Sequence, residues 1–238
     1  MAILETQLPQ CFGGKITIMS YDYWAEPITY SAKKSESGSI EMQVYPVKTL
    51  NASVLKKSVI KSDGKWSFKN SPAPLDKDAE AIVFITKVKE DPLDSDIVSS
   101  FIFNGTIEID ALRLVPGSYE VMITNLLHKT IDIPEEEKCE SGSFYSGDEC
   151  VTLEAMTFED PFPFGGVNFD NTYFEEFDKT AYAWNITAED LYSSEGIRFY
   201  TIAVPDGFSK LTHDDLLEMS KVSEYSARFR QKLEPEFI

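Results

Sequence analysis

Alternation of apolar and polar residues recurs along most of this chain, and it predicts β-strands. A period of two places every second side chain on one face, as in a half-buried strand, whereas short continuous apolar runs favour strands buried on both faces. We therefore predict a mainly β protein. The predicted strands are residues 15–21, 39–45, 81–88, 97–103, 106–111, 119–125, 130–133, 151–158, 181–186 and 198–204.

Turn-forming residues separate these segments at short intervals. Asn104-Gly105 is a strong signal for a tight hairpin, because both central residues of a type I′ turn need positive φ. Pro116-Gly117 and Pro205-Asp206-Gly207 mark further turns. This regular spacing predicts a β-sandwich or a barrel rather than β–α–β units, and we expect one or two antiparallel, Ig-like β-sandwich domains.

The C-terminal segment 211–233 has a helical period instead. Thr212 suits the N-cap position with Asp215 three residues later, and Pro235 follows the predicted end. The helix either packs on a sheet or contacts a partner. Its apolar stripe consists of Leu216, Met219, Val222, Tyr225, Phe229 and Leu233.

Residues 134–178 lack a clear period and are predicted to be irregular. They include a polar loop and the turn-rich run 161–166, and long loops in compact domains are often functional. We place a domain boundary here. It divides the chain into a β-sandwich domain at 1–134 and a second β region with the acidic loop and the helix at 135–238.

The charge distribution excludes several partners. The chain has 22 basic and 40 acidic residues, a net charge of -18. Residues 1–78 have 10 basic and 8 acidic residues, and residues 79–238 have 12 and 32. A nucleic acid or an anionic membrane surface needs a basic face, so neither is an expected partner.

The cysteines indicate the compartment. Cys139 and Cys150 flank a polar, glycine-containing loop that can fold back and join them in a disulfide, which requires an oxidising environment. Cys11 then remains free or pairs elsewhere. Residues 1–14 lack the basic and apolar regions of a signal peptide, so the protein is either intracellular or has a targeting segment outside this chain. The expected disulfide favours the second alternative, and a membrane anchor could then lie outside this chain as well.

Residues 114–121, with the sequence Leu-Val-Pro-Gly-Ser-Tyr-Glu-Val, resemble the strand entry of transthyretin-like domains, the carboxypeptidase-regulatory-like β-sandwiches. The resemblance covers residues 80–134. The cysteine loop and the Phe- and Gly-rich stretch after it are similar to extracellular proteins of archaeal envelopes that combine such sandwiches. The resemblance implies a surface-exposed structural or adhesive role without catalysis, and it assigns no functional residues.

Candidate catalytic residues are few. The chain has two histidines, His128 and His213, and neither lies beside an obvious nucleophile in the sequence. Motifs for a nucleophile elbow, a phosphate loop or a dinucleotide site are missing. We therefore expect no enzymatic activity and no catalytic residue.

Two kinds of binding site remain open. Asp91, Asp94 and Asp96 form a closely spaced acidic group that offers the oxygen ligands calcium prefers, or they are simply an exposed acidic loop. Calcium is the one cofactor that the sequence suggests. Trp24, Trp66 and Trp184 lie in polar, strand-like surroundings and are candidates for stacking on sugar rings, the alternative being core packing.

These observations predict a non-enzymatic extracellular or cell-envelope β-sandwich protein with a structural or adhesive role. Its expected partners are other envelope or particle proteins, glycans, or a second copy of the chain. The alternatives are a carbohydrate-binding module, with or without calcium, and a structural component of a virion or other particle.

Overall fold

The computed structural model describes residues 9–18, 20–33, 38–62, 65–88, 97–140, 149–169, 184–203 and 211–238, and it confirms a mainly β protein. The helices are α1 (Ala188–Ser193), α2 (His213–Met219) and α3 (Val222–Arg228), and a 3-10 turn covers Arg230–Lys232. The strands are β1 (Cys11–Ile16), β2 (Tyr23–Ala25), β3 (Ile28–Ala32), β4 (Val44–Pro46), β5 (Lys48–Ser62), β6 (Lys65–Phe68), β7 (Ala79–Lys87), β8 (Val98–Phe103), β9 (Glu108–Leu114), β10 (Gly117–Leu127), β11 (Ile131–Ile133), β12 (Glu136–Glu140), β13 (Glu149–Leu153), β14 (Met156–Phe158), β15 (Phe162–Phe169), β16 (Trp184–Ile186), β17 (Gly196–Ala203) and β18 (Glu236–Phe237).

One large sheet organises the described residues. Its strand order is β6-β5-β17-β15-β10-β7-β8, with β9 added on β5, β16 on β10 and β18 on β17. Strands from both sides of residue 134 pair in it. Most pairs are antiparallel, as predicted, but β17 runs parallel to β5, with Ile197 opposite Ala52 and Phe199 opposite Val54. The sheet is therefore mixed, because β17 is buried along nearly its whole length and a strand covered on both faces suits a parallel partner.

Alternation builds the core from β7 and β10. Val83 and Ile85 of β7 lie opposite Ile123 and Val121 of β10, and all four side chains are buried. Burying a side chain of this size contributes about 1.5–3 kcal/mol. The same apolar cluster continues through β15 and β17 to α3 and its Tyr225.

The C-terminal helix is not continuous, which corrects the prediction for 211–233. The predicted cap at Thr212 is present, since Thr212 and Asp215 exchange hydrogen bonds between their backbones and side chains. The helix then breaks after α2, where the Ser220 hydroxyl donates to the carbonyl of Leu217 at 2.6 Å and competes with the backbone ladder. Beyond α3 and the 3-10 turn the chain returns as β18 and pairs with β17.

Outside a predicted strand at 151–158, the segment 134–178 was expected to be irregular, and for its described residues this is wrong. β12 and β13 form a hairpin, β14 pairs with β11, and β15 is an inner strand of the main sheet. Gly165 and Gly166 indicated a turn in the sequence, but they allow close packing of backbones: a Cβ on Gly166 would lie 2.2 Å from the carbonyl oxygen of Ile123.

Other predicted boundaries also shift. The strand at 39–45 is reduced to β4, the strand at 15–21 becomes β1, and the longest strand, β5, was not predicted. No helix in the described parts of the chain is long and apolar enough to cross a membrane.

Candidate binding groove

A short two-stranded sheet holds the aromatic residues of the N-terminal region. β2 pairs with β4, which places Trp24 opposite Tyr45 with ring centroids 6.2 Å apart. Asp22 accepts a backbone hydrogen bond from Val47 at 2.8 Å, and the hydroxyl of Tyr192 donates to the carbonyl of Pro46. These contacts fix the run Tyr21-Asp22-Tyr23-Trp24 against the main sheet.

An open groove of about 640 Å³ lies between this run and the sheet. We call it the aromatic groove. Its floor comes from the start of β8, the end of β9 and Val115, which follows β9. Tyr21 is 75% exposed and Tyr23 is 53% exposed, so both rings present flat apolar faces to solvent. Tyr21, Tyr23, Trp24, Val98, Arg113 and Val115 are among its lining residues.

Two cations lie against the aromatic rings of the groove. The guanidinium of Arg113 stacks 3.5 Å from the centroid of Tyr21 and also donates to the backbone carbonyl of that residue. The ammonium of Lys87 lies 4.3 Å from the ring centroid of Trp24. Such cation–π contacts hold the rings in place and put positive charge at the groove.

The predicted disulfide between Cys139 and Cys150 is confirmed. The two residues lie opposite each other in the β12–β13 hairpin with Cα atoms 4.0 Å apart, and both are exposed. Glu137 lies close to the two sulfur atoms. Because the sulfurs are bonded to each other, they offer no thiolate to a metal.

Polar contacts tie the hairpin to the start of α2. Lys138 and Asp214 form an ion pair, and this hydrogen bond raises the pKa of Lys138. His213 places Nδ1 3.5 Å from a carboxylate oxygen of Glu136, while Nε2 lies 3.0 Å from the backbone carbonyl of Glu154. The hairpin is thus a docked part of the fold.

His128 lies at the opposite end of β10 from the groove, between two carboxylates. Nε2 is 3.2 Å from Glu80 and Nδ1 is 3.1 Å from Asp160. These contacts raise the pKa of His128, and the hydrogen bond to Glu80 contributes most. In the described part of the chain, neither His128 nor His213 is hydrogen-bonded to a serine, threonine or cysteine side chain, so neither has the geometry of an activated nucleophile.

Of the three predicted sugar-stacking tryptophans, Trp24 lines the groove. Trp184 is 8% exposed, stacks on Phe237 and touches Phe199 edge-on, so it is a core residue at the border of a second hollow of about 460 Å³. Trp66 lies in β6, but its side chain is outside the described residues.

The predicted calcium ligands Asp91, Asp94 and Asp96 also lie outside the described residues. Conversely, the sequence analysis did not select Tyr21, Tyr23, Lys87 or Arg113. The aromatic run at 21–24 was a visible signal. Nothing local marks Lys87 or Arg113, because folding alone brings them to the groove.

None of the protein-family models, curated proteins or solved structures matches this chain. The groove and the disulfide hairpin are therefore the features from which a function has to be inferred.

Proposed function

We propose that this chain is an exported, non-enzymatic β protein with a structural or adhesive role outside the cytoplasm. The observation that carries the proposal is the Cys139–Cys150 disulfide in an exposed hairpin. Cytosolic reductants keep thiols reduced, whereas such bonds form and persist in oxidising compartments. Cys11, the remaining cysteine, is a free thiol in this arrangement.

An apolar patch on the outer face of the main sheet supports a role in assembly. Phe84 pairs with Met122 across β7 and β10, and Ile102 lies on the same face in β8. The three side chains are 39, 44 and 53% exposed, respectively. Contiguous exposed apolar residues often mark contacts with other proteins, here envelope or particle proteins or a second copy of the chain.

Thiol counting on protein isolated from its natural source without reductant tests the export proposal. We expect one free thiol and a cross-linked peptide that contains Cys139 and Cys150, and the same digest after reduction serves as the control. Three free thiols in the isolated protein would refute the proposal and direct the search to a cytosolic partner.

Sedimentation of the wild type and of Phe84→Ser and Met122→Ser variants tests the assembly role. We expect self-association that survives dilution in the wild type and weakens in both variants. A wild type that stays monomeric and also fails to bind isolated envelope fractions would argue against assembly through this patch.

A second candidate function, carbohydrate binding, is favoured by the aromatic groove. Sugar rings present apolar C–H faces that pack on flat aromatic side chains, and the groove has Trp24 and two exposed tyrosines. Adhesion to glycans and an envelope role are compatible, since a surface protein can act through such a site. Calcium assistance, a particle-forming role, the sandwich arrangement and the transthyretin-like resemblance remain predictions.

Calorimetric titration with a panel of oligosaccharides tests this candidate. We expect Trp24→Ala and Tyr23→Ala to weaken binding about tenfold or more, because an aromatic pair contact is worth about 0.5–1.5 kcal/mol beyond the area that it buries. Phe12→Ala is a matched control, since Phe12 is a 97% exposed aromatic outside the lining of the groove. Equal losses in all three variants would exclude the groove as the site.

A further inference from the structure

Two cations, Arg113 and Lys87, lie at the groove of a protein with a net charge of -18. Elsewhere Lys56 and Lys138 pair with carboxylates. In the part of the chain that the structure describes, neither Arg113 nor Lys87 forms such a pair, and each is stacked on an aromatic ring instead. Among the described residues no carboxylate neutralises this positive charge, so the groove is a surface that attracts an anion.

Arg113 is held in a fixed orientation. Its guanidinium lies flat on the ring of Tyr21 and donates one hydrogen bond to the Tyr21 carbonyl. A hydrogen bond of 3.1 Å from the Ser99 hydroxyl to the Arg113 carbonyl also joins its backbone to β8. A guanidinium has five N–H donors in a planar fork that matches a carboxylate in two parallel hydrogen bonds. The pre-oriented fork loses little conformational entropy when it takes such a ligand.

We propose that the aromatic groove binds acidic sugars, with a sugar ring stacked on an exposed tyrosine and the carboxylate of the sugar paired with Arg113. The inference rests on the carbohydrate binding proposed above and narrows its ligand to sugars of the uronic acid type. Lys87 adds a second positive charge beside Trp24. An acidic peptide would satisfy Arg113 but would leave the flat faces of Tyr21 and Tyr23 without a matching partner.

The probe is an oligomer of galacturonic acid, compared with its methyl ester, which has the same backbone without the negative charge. The protein variants are Arg113→Gln, Arg113→Lys and the control Lys129→Gln. Lys129 follows β10 at its far end, and the eleven residues of that strand span roughly 35 Å. The control thus removes an equal charge far from the groove. Near-UV circular dichroism confirms that each variant keeps the wild-type fold.

We expect the acid to bind the wild type at least about tenfold more tightly than the ester. Arg113→Gln should weaken binding of the acid about 10- to 100-fold, as expected for a charged hydrogen-bonded pair, and should weaken binding of the ester by much less. Arg113→Lys keeps the charge but not the planar fork, so its affinity for the acid should lie between those of the wild type and of Arg113→Gln. Added salt should weaken binding of the acid and leave binding of the uncharged ester unchanged.

Each contrary result has a separate meaning. Equal affinity for acid and ester, or an Arg113→Gln variant that binds like Lys129→Gln, overturns the acidic preference while carbohydrate binding stands. Failure of the folded wild type to bind either oligomer or any neutral sugar overturns both proposals. A glutamate peptide that binds as tightly as the sugar acid replaces the sugar with a peptide as ligand and overturns the inference.

Discussion

The hydroxyl of Tyr119 forms two hydrogen bonds with the backbone of Val115, four residues earlier in the chain. It donates to the Val115 carbonyl at 2.8 Å and accepts from the Val115 amide at 3.1 Å, and both residues are buried. Burial raises the pKa of Tyr119, so the hydroxyl stays neutral and keeps its proton for this bond. The Tyr119 side chain thereby fixes the Pro116-Gly117 turn before β10. It also fixes the position of Val115, which lines the groove.

Tyr119→Phe should therefore destabilise the fold by about 2–3 kcal/mol, because it leaves a buried N–H and a buried carbonyl without partners. Urea unfolding measures the change. Tyr23→Phe is the control: Tyr23 is half-exposed, and loss of its hydroxyl should change stability by less than about 0.5 kcal/mol. Equal midpoints for the two variants would mean that the Tyr119 bond contributes nothing.

Removing the disulfide should also cost stability. In the loop-entropy model a bridge across a loop of this length contributes about 3 kcal/mol. Lys138 and Glu136 of the hairpin contact Asp214 and His213 of α2, and these contacts couple the hairpin to global unfolding. We expect the Cys139→Ser/Cys150→Ser variant to melt roughly 5–10 °C below the wild type.

Reductant and a single variant check this result. Dithiothreitol should lower the melting temperature of the wild type to that of the double variant and leave the double variant unchanged. Cys11→Ser should melt like the wild type, because Cys11 is a free thiol. A reduced wild type that melts at its oxidised temperature would show that the bridge does not stabilise the fold.

Strands with simple alternation could be predicted from the sequence, and strands that depend on distant partners could not. β10 was found from its apolar and polar positions, and β7 was found from a short continuous apolar run. β5 was missed because Lys56 and Lys57 interrupt its apolar pattern; Lys56 is buried by an ion pair with Asp76, and Lys57 by a contact with the carbonyl of Lys232. No local sequence pattern predicts these partners, because they lie 20 and 175 residues away in the chain.

The groove also has residues that could be selected from the sequence and residues that could not. Trp24 could be selected because large aromatic residues in polar surroundings are rare enough to notice. Trp184 has the same local appearance, yet it is buried by Phe199 and Phe237, which come from β17 and β18. Arg113 looks like any charged residue of an alternating strand, and only its position above Tyr21, 92 residues earlier in the chain, makes it part of a site.

His128 predicts a pH dependence of stability. Its pKa is raised in the folded state by Glu80 and then Asp160. The histidine therefore stabilises the fold fully below its unfolded pKa of about 6.5, and this contribution is lost as the pH rises through the higher folded pKa. We expect the urea concentration at the unfolding midpoint of the wild type to decrease as the pH is raised from mildly acidic to mildly alkaline values.

The comparison with His128→Gln isolates this contribution. The variant should show a smaller fall over the same pH range, and an NMR titration of the wild type should give His128 a pKa above the usual value. Parallel pH profiles for the wild type and the variant would assign the dependence to other groups.

Gly166 marks a close approach between the backbones of β15 and β10. A Cβ at this position would lie 2.2 Å from the carbonyl oxygen of Ile123, and its φ of 156° also disfavours other residues. Neither backbone can move without breaking the register in which Gly166 lies opposite Thr124 on one side and Ile202 on the other. We expect Gly166→Ala to lose at least about 3 kcal/mol or to fail to fold. Gly38→Ala is the control, because its added methyl would meet only the Tyr30 hydroxyl at 3.1 Å, and it should unfold like the wild type. Thermal unfolding of the soluble fraction measures both, and a Gly166→Ala protein as stable as Gly38→Ala would show that β15 does not need glycine there.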